Sequence, residues 1–164
     1  MRVLERPDIV GIQGYYSRSP SSGVWIYEFG NKFVGLVAVD ASTDSLSEET
    51  VLSLEKDKVK PTKGSSKTAT IRHLYTAELY RPALPQDDLI TFAVNHAFKK
   101  SPSIENIRIE PSPLARYLGQ ALTRKGFKVV GRGQKVGLFG WTTLTYELTR
   151  EDWKAKYKPV TGEL

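Results

Sequence analysis

A chain of 164 residues with 40% hydrophobic content is long enough for one well-packed domain, here residues 1–164, and too short for two comfortable ones. It has no apolar run near the roughly 18 to 20 residues of a membrane-crossing helix and no secretory signal, and its lack of cysteine excludes a disulfide scaffold, a thiolate metal site and a cysteine nucleophile. The net charge of +6 is carried by scattered Lys and Arg with no aromatic interleaving, which argues against a nucleic-acid partner, and the two histidines, His73 and His96, leave little material for a metal.

In chain order, residues 7–16 read as a short helix, with Asp8 near its start and Ile9, Ile12 and Tyr15 or Tyr16 on one face. Residues 17–22 break it. Segments 24–29 and 32–39 are β-rich and apolar, and Gly30-Asn31 between them predicts a two-residue hairpin. Residues 42–67 turn polar and charged and read as a mobile loop. A strand resumes over 69–76, followed by a helix in which Leu89, Ile90, Ala93, Val94 and Ala97 recur at the spacing of one buried face. It ends at Lys99, Lys100 and Pro102. A short strand over 104–110 carries Ile107 and Ile109 on one side, and a second amphipathic helix, about 114–125, stops at Gly126. Val129, Val130 and 139–148 supply further strand, the stretch Gly131-Arg132-Gly133-Gln134 reads as a flexible connection, and Glu151, Asp152 and Trp153 read as a closing turn of helix. Trp25, Trp141 and Trp153 are expected as core or edge aromatics. The alternation of strands with helices implies parallel pairing in the middle, flanked by antiparallel hairpins.

Four stretches, in this order and spacing, resemble the GNAT superfamily of N-acetyltransferases over nearly the whole chain. Ser22-Gly23-Val24-Trp25-Ile26-Tyr27-Glu28 and Lys32-Phe33-Val34-Gly35-Leu36-Val37-Ala38 look like the family's second and third strands. His73-Leu74-Tyr75-Thr76 with Tyr80-Arg81 looks like its fourth strand and the start of its cofactor loop, 89–98 like the helix after it, and Gly126-Phe127 like the Gly-Phe beside the second helix. The resemblance implies a mixed α/β fold, a largely antiparallel twisted sheet of about six or seven strands flanked by helices. The family's first strand and helix have no counterpart in it. Segments 7–16 and 19–25 are also similar to the stretch following the membrane hairpin in the endoplasmic-reticulum-anchored branch, which includes N-acetylaspartate synthase and cysteine-conjugate acetyltransferases. That similarity implies a domain on the cytosolic face of the endoplasmic reticulum, anchored through a segment outside this chain.

The resemblance also implies family positions for acetyl-CoA at Leu74, Thr76, Arg81, Leu84 and Gln86. In the family pattern, Arg-x-x-Gly-x-Gly/Ala, backbone amides at a helix start surround the pyrophosphate. Arg81 stands where the Arg belongs, but Leu84 and Gln86 replace the glycines and Pro82 and Pro85 remove amide donors. Asp87 and Asp88 place two carboxylates at the anion-binding end. At an effective dielectric near 20, like charges about 5 Å apart cost on the order of 3 kcal/mol, or roughly two decades in affinity. The same residues also suit any stable helix start.

The family's thiolate proton donor, a tyrosine five residues before the Phe of Gly-Phe, falls on Leu122; Tyr117 lies five residues further upstream and is expected to pack with its hydroxyl at the surface. Candidate general bases are His73 on the strand and Glu78 just after it, each with an ordinary alternative as a packing or strand-end residue. No metal ligand set is expected. The favoured expectation is therefore a catalytically degenerate GNAT-like module that binds another protein, with a chaperone or trafficking role toward a membrane protein among the possibilities, and with no cofactor. An active acetyl-CoA-dependent N-acetyltransferase on an amine or protein N-terminus is the alternative, and a lipid-surface module drawn by the net charge is a third.

Overall fold

The computed structural model describes residues 7–42, 65–136, 138 and 140–157. Two short helices, α1 (Pro7–Val10) and α2 (Ile12–Tyr16), precede the hairpin of β1 (Gly23–Phe29) and β2 (Lys32–Ser42). Then follow β3 (Ser65–Thr76), a 3-10 segment (Glu78–Ala83), α3 (Pro85–Lys100), β4 (Asn106–Ile109), α4 (Arg116–Lys125), β5 (Lys128–Val136), β6 (Trp141–Thr149) and α5 (Arg150–Lys156). The six strands form one sheet in the order β1-β2-β3-β4-β6-β5, antiparallel except for the β3/β4 pair. This is the mixed, mostly antiparallel sheet flanked by helices that the sequence implies.

The hairpin turn has positive φ at both Gly30 (54°) and Asn31 (61°), the combination whose twist matches that of the flanking strands. Strand β2 is buried on both faces, which explains its nearly unbroken apolar run. Val37 and Val39 face α3, packing with Leu89, Ile90, Ala93, Val94 and Ala97, whereas Ala38 faces Tyr15 and Tyr16 of α2. Helix α3 thus buries the stripe that the sequence predicts, and α4 ends on Gly126 at φ 95°. Arg150, opening α5, donates to three carbonyls, Ile104 O (2.7 Å), Phe98 O (2.9 Å) and Ser101 O (2.6 Å), and so fixes the turn leaving α3. Trp153 Nε1 donates to Asn95 Oδ1 at 2.9 Å, placing this tryptophan in the core; Trp141 lies at the surface.

Several sequence expectations need correction. The helix expected over 7–16 is two helices broken at Gly11, with Asp8 inside the first turn; Tyr15 and Tyr16 are buried, as expected of that face, but Ile12 is 48% exposed. Strand β3 starts at Ser65, so 65–67 belong to the sheet; the mobile loop expected over 42–67 otherwise lies at 43–64, outside the described residues. Gly131-Arg132-Gly133-Gln134 is not a connection but part of β5. Its second glycine has a packing reason: a Cβ on Gly133 would stand 2.8 Å from Glu110 Oε2 and closer still to Thr143 Oγ1.

Candidate functional site

The parallel ladder between β3 and β4 runs only from Thr68↔Asn106 to Ile71↔Ile109. Beyond it β3 continues to Thr76, while the chain after Ile109 leaves through Pro111 and Pro113 toward α4. The two strands splay, and a cavity of about 420 Å³ opens between them, lined among others by His73, Leu74, Tyr75, Arg81, Glu110 and Tyr117. One extra residue on β3 accompanies the splay. The β2 pairing passes from Ala38↔His73 to Val39↔Ile71, leaving Arg72 as a bulge, and a bulge bends its strand and re-aims the side chains around it.

Arg72 Nε and Nη2 donate to Asp40 Oδ2 at 3.1 and 3.0 Å. Asp40, 1% exposed, also accepts from Tyr15 Oη (2.9 Å), Arg18 Nη2 (3.4 Å) and Ser42 N (3.1 Å). Burial, reinforced by Asp40, pushes the Tyr15 phenol well above its ordinary range. Burial alone would weaken the charge on Arg72, but Tyr15 and Asp40 outweigh it and raise its pKa. Next to this cluster, His73 Nε2 lies 2.7 Å from Oδ2 of Asp8, a carboxylate itself 2% exposed. A carboxylate at Nε2 fixes the neutral ring with its proton there, which leaves Nδ1 as the basic atom.

On the other wall Tyr117, in the first turn of α4, reaches across to β3: its hydroxyl accepts from Thr76 N at 3.3 Å. The expectation of a surface hydroxyl is thereby corrected. The Arg81 guanidinium stacks 4.1 Å above the Tyr117 ring, and Arg81 Nε donates to Thr76 O at 3.1 Å. Leu122, where the resemblance would place the tyrosine, is fully buried in the core. Cleft and fold therefore bring together His73, Leu74, Thr76, Arg81 and Tyr117. Glu78 stands apart, exposed on the 3-10 segment, and His96 lies in α3 with its ring 4.6 Å from that of Trp25.

The turn into α3 is held by its own atoms. Leu84 N donates to Arg81 O (3.0 Å), Asp87 N to Leu84 O (2.9 Å), and Gln86 Nε2 to Arg81 O (3.4 Å), while Pro82 and Pro85 have no amide to offer. Leu84 adopts φ 60°, a left-handed conformation that costs a branched residue on the order of 1 kcal/mol. Asp87 forms a two-pronged pair with Arg124 (2.7 and 3.1 Å), and this hydrogen bonding raises the Arg124 pKa. Gln86 is 2% exposed, so its side chain fills the bend from inside. Among the described residues no group of three or more potential metal ligands forms.

Two residues that organise the cleft were missed in the sequence, Asp8 and Asp40. Asp40 left a signal, a carboxylate inside the apolar run Val37-Ala38-Val39-Asp40-Ala41 that can only be buried with partners. Asp8 left none, because its partner is distant in the chain.

No protein-family model matches the chain, and no curated protein matches it. Solved structures do. An acetyltransferase of the GNAT family from Streptococcus pneumoniae superposes with TM-score 0.61 at 10% identity, over 86% of this chain and 74% of the other. Mutant forms of the spermidine/spermine N-acetyltransferase SpeG from Vibrio cholerae give 0.62 at 9% identity, over 90% and 78%. The structure of yncA from Salmonella typhimurium with its cofactor acetyl-CoA gives 0.59 at 10% identity, over 86% and 70%. The fold is that of the GNAT N-acetyltransferases.

Proposed function

We propose that this GNAT-fold domain is a binding module that has given up ordinary acetyl transfer and recognises another polypeptide. The observation that carries this reading is the turn into α3. A diphosphate needs bare amides at that turn, and here prolines remove two of them while the amides of Leu84 and Asp87 are taken by carbonyls of the same turn. The residues present do not fit the acetyl-CoA pyrophosphate. Leu84, Gln86 and the carboxylates of Asp87 and Asp88 occupy the space and the field it would require. Isothermal calorimetry on the full chain tests this: no heat is expected with millimolar acetyl-CoA or CoA, and a dissociation constant below about 50 μM overturns the reading.

The same reading includes a tether on the cytosolic face of the endoplasmic reticulum and a membrane protein as partner, supported by the likeness of 7–25 to the anchored branch. No helix among the described residues is long and apolar enough to cross a membrane, so such an anchor lies outside them. Membrane fractionation of the full-length gene product, with alkaline extraction, is the check; release by carbonate removes the tether.

An active N-acetyltransferase is the second reading, favoured by one feature: His73, paired with Asp8, and Tyr117 line the same cleft. In this reading His73 takes a proton from an amine, and Tyr117, which accepts from Thr76 N, keeps its own proton to give. Under this reading CoA binds, and His73→Ala and Tyr117→Phe each lower kcat by about 10²- to 10⁴-fold.

A further inference from the structure

We propose a second ligand site, on the far side of α4 from the cleft, that takes a small carboxylate monoanion carried on an apolar body. It goes beyond the binding-module reading and stands whether or not CoA binds at the turn into α3.

Helix α4 divides two cavities. Tyr117 and Leu118 line the cleft, whereas Arg116, Gly119, Gln120 and Thr123 turn to a separate cavity of about 700 Å³. Thr142, Leu144 and Tyr146, alternate residues of β6, present one face of that strand to it. Glu110 belongs to the other face, where it accepts from the hydroxyl of Thr145 at 2.8 Å.

Tyr146 marks this cavity as a site. It is only 8% exposed, yet its hydroxyl has no hydrogen-bond partner among the described residues. Gly119 keeps that hydroxyl its place, since a Cβ there would stand 2.9 Å from Tyr146 Oη. A buried hydroxyl without a partner is costly, and an acceptor on a ligand in the cavity would complete it.

Charge selects the ligand. No Asp or Glu lines the cavity, and two arginines do. Both oxygens of Asp87 hold Arg124, so Arg116, exposed and without an ion pair among the described residues, brings the uncompensated charge. Arg116 also opens α4, whose N-terminus has no side-chain cap, and the free amides and dipole of that end add to the same sign. One free guanidinium matches a monoanion, and its fork fits the two oxygens of a planar carboxylate; a phosphate dianion calls for a second cation. The rest of the lining is largely apolar, from Pro111, Pro113, Ala115 and Leu144. The volume lies within the roughly 300 to 1,000 Å³ of small-molecule sites.

The test titrates phenylbutyrate and cyclohexylacetate, each beside its uncharged primary amide, into the full ¹⁵N-labelled chain. Both carboxylates are expected to shift the backbone amides of Gly119, Gln120 and Tyr146 with dissociation constants of about 1 mM or tighter, at least about tenfold tighter than the uncharged probes. Arg116→Gln, at an exposed position, and Tyr146→Phe, which keeps the ring in the core, should each weaken the carboxylates by about tenfold. The proposal is overturned if neither carboxylate moves these amides, if charged and uncharged probes bind alike, or if Arg116→Gln binds as the parent does. Tighter binding of phenyl phosphate than of either acid overturns the choice of a monoanion. Should Tyr146→Phe fail to fold, the uncharged probes and Arg116→Gln decide.

Discussion

The two ends of the cleft treat polar groups in opposite ways. At the bulge of β3, Asp40 gathers Arg18, Arg72, Tyr15 and Ser42, and Asp8 holds His73, so that charges stay buried because each is matched. At the turn into α3, Pro82 and Pro85 carry no amide, the amides of Leu84 and Asp87 bond carbonyls of the same turn, and the carboxylate of Asp87 is matched by a surface arginine. The difference teaches what the fold itself requires of each end. The bulge residues tie α1 and α2 to the sheet and are needed for the fold whether or not chemistry occurs. The turn into α3 closes on its own bonds and needs no ligand to hold its shape.

Breaking the bulge cluster should have the largest effect. Asp40→Ala removes the buried carboxylate that Arg18, Arg72 and Tyr15 share and is expected to lower stability by about 3 to 5 kcal/mol in chemical denaturation. A loss below about 1 kcal/mol would show that water reaches and screens these charges.

Rebuilding the turn comes next. Leu84→Gly with Gln86→Gly and Asp88→Asn opens the bend and removes one carboxylate, and CoA affinity by calorimetry should rise by roughly two decades. Leu84→Gly alone should stabilise the fold by up to about 1 kcal/mol, since φ 60° suits glycine. A destabilised Leu84→Gly protein would mean that the leucine side chain contributes packing that outweighs its strain.

Alkaline pH sharpens the comparison without mutation. Burial raises the phenols of Tyr15 and Tyr16, assisted by Asp40 and Asp8 respectively, so above pH 10 the unfolded chain loses these protons before the folded one does. The unfolded state then binds fewer protons, and stability, fully present below pH 10, should fall as pH rises beyond it. Thermal unfolding between pH 8 and pH 11.5 reads this, and replacing both tyrosines by phenylalanine should flatten the slope. The smallest effect is expected from Arg124→Ala, below about 1 kcal/mol, because that pair is exposed and screened.

The order of elements, the hairpin turn, the buried stripe of α3 and the glycine ending α4 were legible in the sequence, because each depends on residues a few positions apart whose periodicity or φ preference acts locally. So was the chemistry of the turn from Arg81 to Asp88, since a missing amide is a property of proline itself. Only the tertiary structure decided that Tyr117 reaches Thr76, that Asp8 belongs to His73 and that the glycines of β5 lie within a strand. Those outcomes depend on contacts between residues 41, 65 and, for Gly133 and Glu110, 23 positions apart, and on a single-residue bulge at Arg72. Linear spacing does not encode them. They follow from how the strands pair, and a shift of one residue sends every side chain beyond it to the other face.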